Sequence, residues 1–187
     1  RRVWILPSDL SHPDEVSRLI SRANEISPLY GLVNSAAIFE TLSWEETTLA
    51  DWNRTLDLNL TAPFLLSQAF AKQLPENNEG RIVNILDWRA LRPGADHFPY
   101  TISKAALAAL TQSLAAALTP RITVNGLALG AVLPPSDQGV SDKIIENVPA
   151  HRWSKPQEVE DALIFLLCGP SYITGEIIHL DGGRHLI

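Results

Sequence analysis

Short apolar runs and helical stretches alternate four times along this chain, and that alternation limits its fold more than any other feature. The clearest run is Arg81-Ile82-Val83-Asn84-Ile85-Leu86. Its apolar residues are nearly continuous, as in a parallel strand buried on both faces. From Tyr100 to Leu118 the leucines at 107, 110, 114 and 118 line one face of a helix. Ile122 to Leu127 is the next strand. Nearer the start, Val3 to Leu6 predicts a strand that leaves into Pro7-Ser8-Asp9. Ser11 predicts the N-cap of a helix that buries Val16, Leu19, Ile20, Ala23 and Ile26 and stops at Pro28. Leu32-Val33 is a short strand, and Thr48 to Leu74 is one long helix that Pro63 kinks or divides. Ser154-Lys155-Pro156-Gln157 predicts a capping box for a helix from Gln157 to Leu167, and Ile177 to Leu180 is the last strand. Residues 133–150 hold prolines, glycine and charges around a short helical patch, the pattern of a flexible flap over a site. The alternation predicts a single α/β domain over residues 1–187, a doubly wound parallel sheet with helices on both faces. Such sheets bind ligands beyond the carboxyl ends of their strands, here Asp9, Asn34, Asp87 and Gly130.

Composition removes several alternatives. A net charge of −6 argues against nucleic acid as a partner. One cysteine, Cys168, excludes an internal disulfide framework, and no Cys/His spacing suggests a metal site. Cys168 follows the apolar run Leu163 to Leu167, which predicts a buried, inert thiol in a reducing, cytoplasmic setting. No apolar run was expected to span a bilayer, so no membrane partner is expected. The chain contains no methionine, so Arg1 is not an ordinary translation start and upstream sequence is expected.

Chemistry points to Tyr100-Thr101-Ile102-Ser103-Lys104, where a phenol and an ammonium lie four residues apart on one helical face. An ammonium near a phenol favours phenolate and should lower the tyrosine pKa from about 10. Such a phenol can pass a proton to an atom that receives a hydride. The pair alone is weak evidence, because this spacing arises by chance on many helices. Its context is the strand ends at Asn34-Ser35-Ala36-Ala37 and Asp87, Asn59 in the long helix, and Gly130 and Asp181-Gly182-Gly183 downstream.

These segments, with Ser8-Asp9-Leu10, Asn59-Leu60, Val124-Asn125-Gly126 and Lys104-Ala105-Ala106-Leu107, resemble the short-chain dehydrogenase/reductase family from Asp9 to Gly183. The resemblance implies a Rossmann-like fold and a nicotinamide cofactor, NADP with NAD as the other option. It implies Tyr100 as proton donor and Lys104 as holder of the nicotinamide ribose. Asn59 would anchor a proton path behind Lys104, or it merely plugs a helix kink near Pro63. Asp9 and Leu10 would border the adenine, although Asp9 also reads as a turn residue. Asn34, Ser35 and Ala36 would pack beside the cofactor, and the backbone of Gly130, Ala131 and Val132 would hold the carboxamide. Asp181-Gly182-Gly183 reads as a turn at a subunit contact and His97 as a solvated loop residue. Trp88 and Arg89 line the substrate mouth or anchor a loop. The alanine-rich second face of the Tyr100–Leu118 helix implies a homo-oligomer, dimer or tetramer.

Three departures from the family sharpen the reading. The glycine-rich phosphate loop is absent, so the domain reads as N-terminally truncated by roughly 40–50 residues, with weak cofactor binding expected. Leu129-Gly130 replaces the usual Pro-Gly. Asp87 stands where the family has a catalytic serine, and an ionised carboxylate accepts hydrogen bonds but cannot donate them. Aspartate here, with Phe39 placed to stack on a planar ring, resembles the pteridine reductase and dihydromonapterin reductase branch. That branch implies reduction of a C=N bond in a pterin-like substrate, contacted by Phe39, Asp87 and Tyr100. The alternatives are a carbonyl or 3-oxoacyl reductase, and a non-catalytic dinucleotide-binding or scaffold protein.

Overall fold

In the computed structural model, which describes residues 2–134 and 138–187, the centre of the molecule is a pair of long parallel strands. These are β2 (Gly80–Asp87) and β3 (Ile122–Leu129), in register from Gly80 opposite Ile122 to Asp87 opposite Leu129. Shorter strands flank them, β1 (Gly31–Asn34) beside β2 and β4 (Ile177–Leu180) beside β3, giving a parallel sheet in the order β1-β2-β3-β4. Residues alternate between faces along a strand. Ile82, Leu86, Val124 and Ala128 therefore meet helices α3 (Ala62–Gln73) and α4 (Phe98–Leu118), while Val83 and Leu127 meet α6 (Pro156–Cys168). Helix α1 (Pro13–Ile26) packs its Val16 and Ile20 into the α3 side of the core. This is the α/β, Rossmann-like parallel sheet that the alternation predicts.

The expected long helix is divided. Thr48 caps α2 (Leu49–Leu56) through a reciprocal bond pair with Asp51, and a π-turn covers Asp57–Thr61 before α3 begins. The Ala62 N–H reaches the Asp57 carbonyl, one residue further back than in an α-helix. Pro63 has no N–H for the Asn59 carbonyl, so the regular ladder cannot continue through this turn.

Several local expectations change. Val3 to Leu6 is not a strand; Val3 and Ile5 are 86% and 85% exposed, because this segment has no ladder to a neighbour and no sheet to half-bury it. His12, not Ser11, occupies the N-cap of α1, because the Ser11 N–H and hydroxyl are spent on Asp9 Oδ1 at 2.9 and 2.7 Å. The N-cap of α6 is Lys155, whose N–H donates to Glu158 Oε2 at 2.7 Å. Cys168 is exposed rather than buried. It lies one turn after Ile164 on the outward face of α6, where Ile164 and Phe165 are also exposed. Helix α4, with 21 residues and a hydropathy of 1.2, is by length and composition alone long and apolar enough to cross a bilayer, contrary to the expectation. Its Leu107, Ala108 and Ala115 are buried in the core against β2 and β3, as in a core helix. Of the expected flap, residues 135–137 lie outside the described residues, and α5 (Gln138–Glu146) follows them.

Candidate active site

A cleft of about 720 Å³ opens beyond the carboxyl ends of β2 and β3. It gathers Ser35, Phe39, Asp87, Tyr100, Lys104, Gly130, Ala131 and Val132 from four separate stretches of chain. Asp87 is the last residue of β2, and Tyr100 and Lys104 stand on the first turns of α4. The Tyr100 hydroxyl donates to Asp87 Oδ2 at 3.1 Å. The other carboxylate oxygen, Oδ1, is held by the Arg89 backbone N–H at 2.8 Å and more loosely by its guanidinium at 3.4 Å. Arg89 in turn grips Asp96 through two bonds of 3.1 and 2.6 Å, which holds the Asp96 carboxyl below its ordinary pKa. Asp87 is thereby locked by Arg89, with Oδ2 turned toward the phenol.

The electrostatics differ from the expected ones. Lys104 was expected to lower the Tyr100 pKa. Burial raises it instead, and the neighbouring Asp87 charge and hydrogen bond add to the rise. The Lys104 ammonium sits 5.8 Å from the phenol ring centre and donates to the Ile85 carbonyl at 2.8 Å. Burial pushes the Lys104 pKa down to about 8, against an opposing pull from Asp87. The phenol is therefore a firmly protonated donor, and the ammonium is the group poised to titrate.

Asn59 lies behind this pair and is fully buried in the π-turn. Its Oδ1 accepts from the Ile38 N–H at 2.8 Å, and its Nδ2 donates to the Ile38 carbonyl and the Ser103 hydroxyl, both at 3.0 Å. Asn59 thus ties the Phe39-bearing loop to α4. Asn34 is also buried, with its Nδ2 donating to Asn84 Oδ1 at 2.8 Å and to Ser67 at 3.3 Å, while its own Oδ1 has no partner among the described residues. Leu10, Asn34, Ser35 and Ala36 line an adjoining cleft of about 410 Å³, and Ser35 belongs to both clefts. Asp9 lines neither. Its carboxylate is exposed and engaged by Ser11 and His12, and the Ser11 bonds lower its pKa.

The turn after β4 shapes the far wall. A Cβ on Gly130 would lie 2.6 Å from Asp181 Cα, so only glycine lets these two backbones touch. Gly182 and Gly183 have φ of 64° and 87°, and Asp181 accepts from the Gly183 and His185 N–H groups and from His185 Nδ1. This turn swings Arg184 into the cleft. Sequence reasoning missed Arg184; its signal was its place directly after the double glycine. It also set aside His97, which is half-buried at the cleft. Its ring stacks on Phe39 at 4.1 Å and bonds the Glu40 carbonyl through Nδ1 at 3.0 Å, and its backbone is left-handed at φ 49°. Phe39 stands edge-on to Tyr100 at 4.6 Å and is 55% exposed.

The residues fit the nicotinamide half of a dinucleotide. The backbone from Gly130 to Val132 lines one wall, and Lys104 has donors to spare beyond its single bond. Fold and cleft together define an α/β domain of the oxidoreductase type, with a tyrosine, a lysine and an aspartate gathered at its strand ends. Residues 1–185 match the family profile described as enoyl-(acyl carrier protein) reductase. A 3-oxoacyl-[acyl-carrier-protein] reductase from Synechocystis sp. is 31% identical over 94% of this chain and 73% of that protein. The crystal structure of FolM alternative dihydrofolate reductase 1 from Brucella canis, complexed with NADP, superposes with a TM-score of 0.90 at 34% identity, covering 97% of this chain and 72% of that one. A Burkholderia cenocepacia short-chain dehydrogenase in complex with NADP gives 0.87 at 34%, covering 96% and 75%. The chain belongs to the short-chain dehydrogenase/reductase family, whose members are NAD(P)-dependent oxidoreductases.

Proposed function

We propose that this protein is an NADPH-dependent reductase that reduces a C=N bond in a pterin-like heterocycle. The observation that carries the reading is the Tyr100–Asp87 pair, a buried phenol donating at 3.1 Å to a carboxylate where the family places a serine. A carboxylate repels a developing alkoxide, whereas it accepts from the ring N–H and amino groups that a pterin presents. The cofactor would supply the hydride to the ring carbon. Tyr100 Oη would release its proton to the adjoining ring nitrogen. With its pKa near 8, Lys104 is placed to support reprotonation of the phenol and, through its remaining N–H donors, to hold the ribose. Phe39, already stacked on one heteroaromatic ring in His97, offers its exposed surface to a planar substrate. The 34% identity to FolM alternative dihydrofolate reductase 1 from Brucella canis supports the same reading.

The test is oxidation of NADPH in the presence of dihydropterins. Asp87→Ala should abolish it. If the protein prefers ketones and tolerates that change, the reading fails. The likeness to a 3-oxoacyl reductase favours a second reading, carbonyl reduction, under which Asp87→Ser should raise activity.

A further inference from the structure

The cleft is lined by three cations, Arg89, Lys104 and Arg184, against one carboxylate, Asp87. Two of the three are engaged. Arg89 is spent on Asp87 and Asp96, and Lys104 donates to the Ile85 carbonyl. The Arg184 guanidinium has no hydrogen bond or ion pair among the described residues. It lies over the Trp88 ring, 4.4 Å from its centre, and the Arg89 guanidinium lies over the same ring at 4.7 Å. Trp88 thus supports Arg184 through its π-face without neutralising it. Burial lowers the Arg184 pKa from its ordinary value, with the positive charge of Arg89 adding to the fall, while the carboxylates of Asp87, Asp96 and Asp181 oppose it at longer range without bonding the guanidinium. A half-buried cation beside another cation is costly unless an anion completes it.

We infer that Arg184 is a specificity residue that recognises a carboxylate on the substrate, at the mouth of the same cleft whose floor holds Asp87 and Tyr100. The inference rests on that cleft being the substrate site, and it narrows the substrate class from planar heterocycles in general to those with an acidic side arm. The turn Asp181-Gly182-Gly183 is the device that places it. Asp181 accepts from the Gly183 and His185 N–H groups at the start of the short 3₁₀ turn Arg184–Leu186, and the left-handed glycines allow the reversal. Planar guanidinium geometry matches a carboxylate through two parallel N–H bonds, which a lysine at this position could not reproduce. The chain as a whole is acidic at −6, so a locally cationic mouth draws an anion inward instead of merely reflecting the overall charge.

The experiment compares dihydrofolate, which carries carboxylates, with dihydrobiopterin, which carries none, in wild type, Arg184→Ala and Arg184→Lys with NADPH. The ratio of kcat/KM for the acidic over the neutral substrate should fall about 10- to 100-fold in Arg184→Ala, through KM rather than kcat. Arg184→Lys should recover part of the ratio, and added salt should lower the wild-type ratio. An unchanged ratio in correctly folded Arg184→Ala, checked by circular dichroism, overturns the inference. So does a matching rise in the NADPH dissociation constant, measured by fluorescence, because the anion recognised would then be the cofactor's. If neither pterin is reduced, a keto acid and its methyl ester provide the same contrast. The pterin reading would then have failed while the role of Arg184 is still decided.

Discussion

The centre of the sheet and its margins are built differently. Strands β2 and β3 share an eight-residue register and are buried along nearly their whole length. Strands β1 and β4 each pair over only four residues, and most of their positions are half-exposed. The groups that would handle the proton rise from the centre, with Asp87 at the end of β2 and Tyr100 and Lys104 on the helix that covers β2 and β3. The groups that would choose a substrate come from the margins, Phe39 on the loop after β1 and Arg184 on the turn after β4. Chemistry tolerates little displacement, so it sits on elements whose packing over-determines their position. Recognition groups tolerate more, and loops can vary without disturbing the core.

That contrast can be tested from its largest consequence downward. Tyr100→Phe should lower kcat about 10³-fold, because it removes the proposed proton donor and leaves the ring packing intact. Steady-state NADPH oxidation measures this. A loss below tenfold would remove Tyr100 from the chemistry.

Asn59→Ala should cost about 2–3 kcal/mol of stability, since it leaves the part-buried Ile38 N–H and carbonyl without their partner and removes the tie to Ser103, whose hydroxyl keeps only its bond to the Tyr100 carbonyl. Gly130→Ala should cost a similar amount, about 2–3 kcal/mol, because its methyl group would meet the Asp181 backbone. Urea denaturation measures both, and a near-neutral result for either would show that the centre yields more than its packing implies.

Lys104 gives a signed pH effect. Its pKa falls from the ordinary 10.5 to about 8 on folding, so between those values the folded chain holds fewer protons than the unfolded one. Stability should therefore rise as the pH climbs from 8 toward 10.5, while kcat/KM that needs the ammonium should fall above pH 8. Lys104→Met should remove both trends and raise stability at neutral pH by something on the order of 1–3 kcal/mol while abolishing activity. Thermal melts across that pH range decide it.

Effects at the margin should be smaller and should concern substrate. Phe39→Leu should raise KM about fivefold, equivalent to the roughly 1 kcal/mol that an aromatic stack contributes, with kcat little changed. On the outward face of α6, Phe165→Ser should change stability by less than about 0.5 kcal/mol.

Much of this was legible in the chain. The near-continuous apolar run of β2, the leucine stripe of α4 and the order of the strand ends follow from period and patterning alone. Patterning says whether a residue faces a core, and α4 and β2 each see one. It fails where a segment's partner is not local. Val3 to Leu6 has the composition of a strand but no ladder neighbour, and Cys168 follows an apolar run yet lies on the outward face of its helix. Pro63 announced a disturbance in the long helix. Only the packed chain showed a π-turn there that aims Asn59 at the Ile38 backbone.

The sequence by itself determined the four strands from Leu32 onward, and the order of its motifs implied that a tyrosine, a lysine and an aspartate meet at their ends. Pattern and motif order survive without coordinates. Tertiary structure decided the electrostatics. Burial and Asp87 raise the Tyr100 pKa where a neighbouring lysine alone would have lowered it, and the same burial makes Lys104 the group that titrates. It also decided which cation remains available. Arg89 and Arg184 are equal as letters, and only the fold satisfies one with two carboxylates and leaves the other facing the cleft.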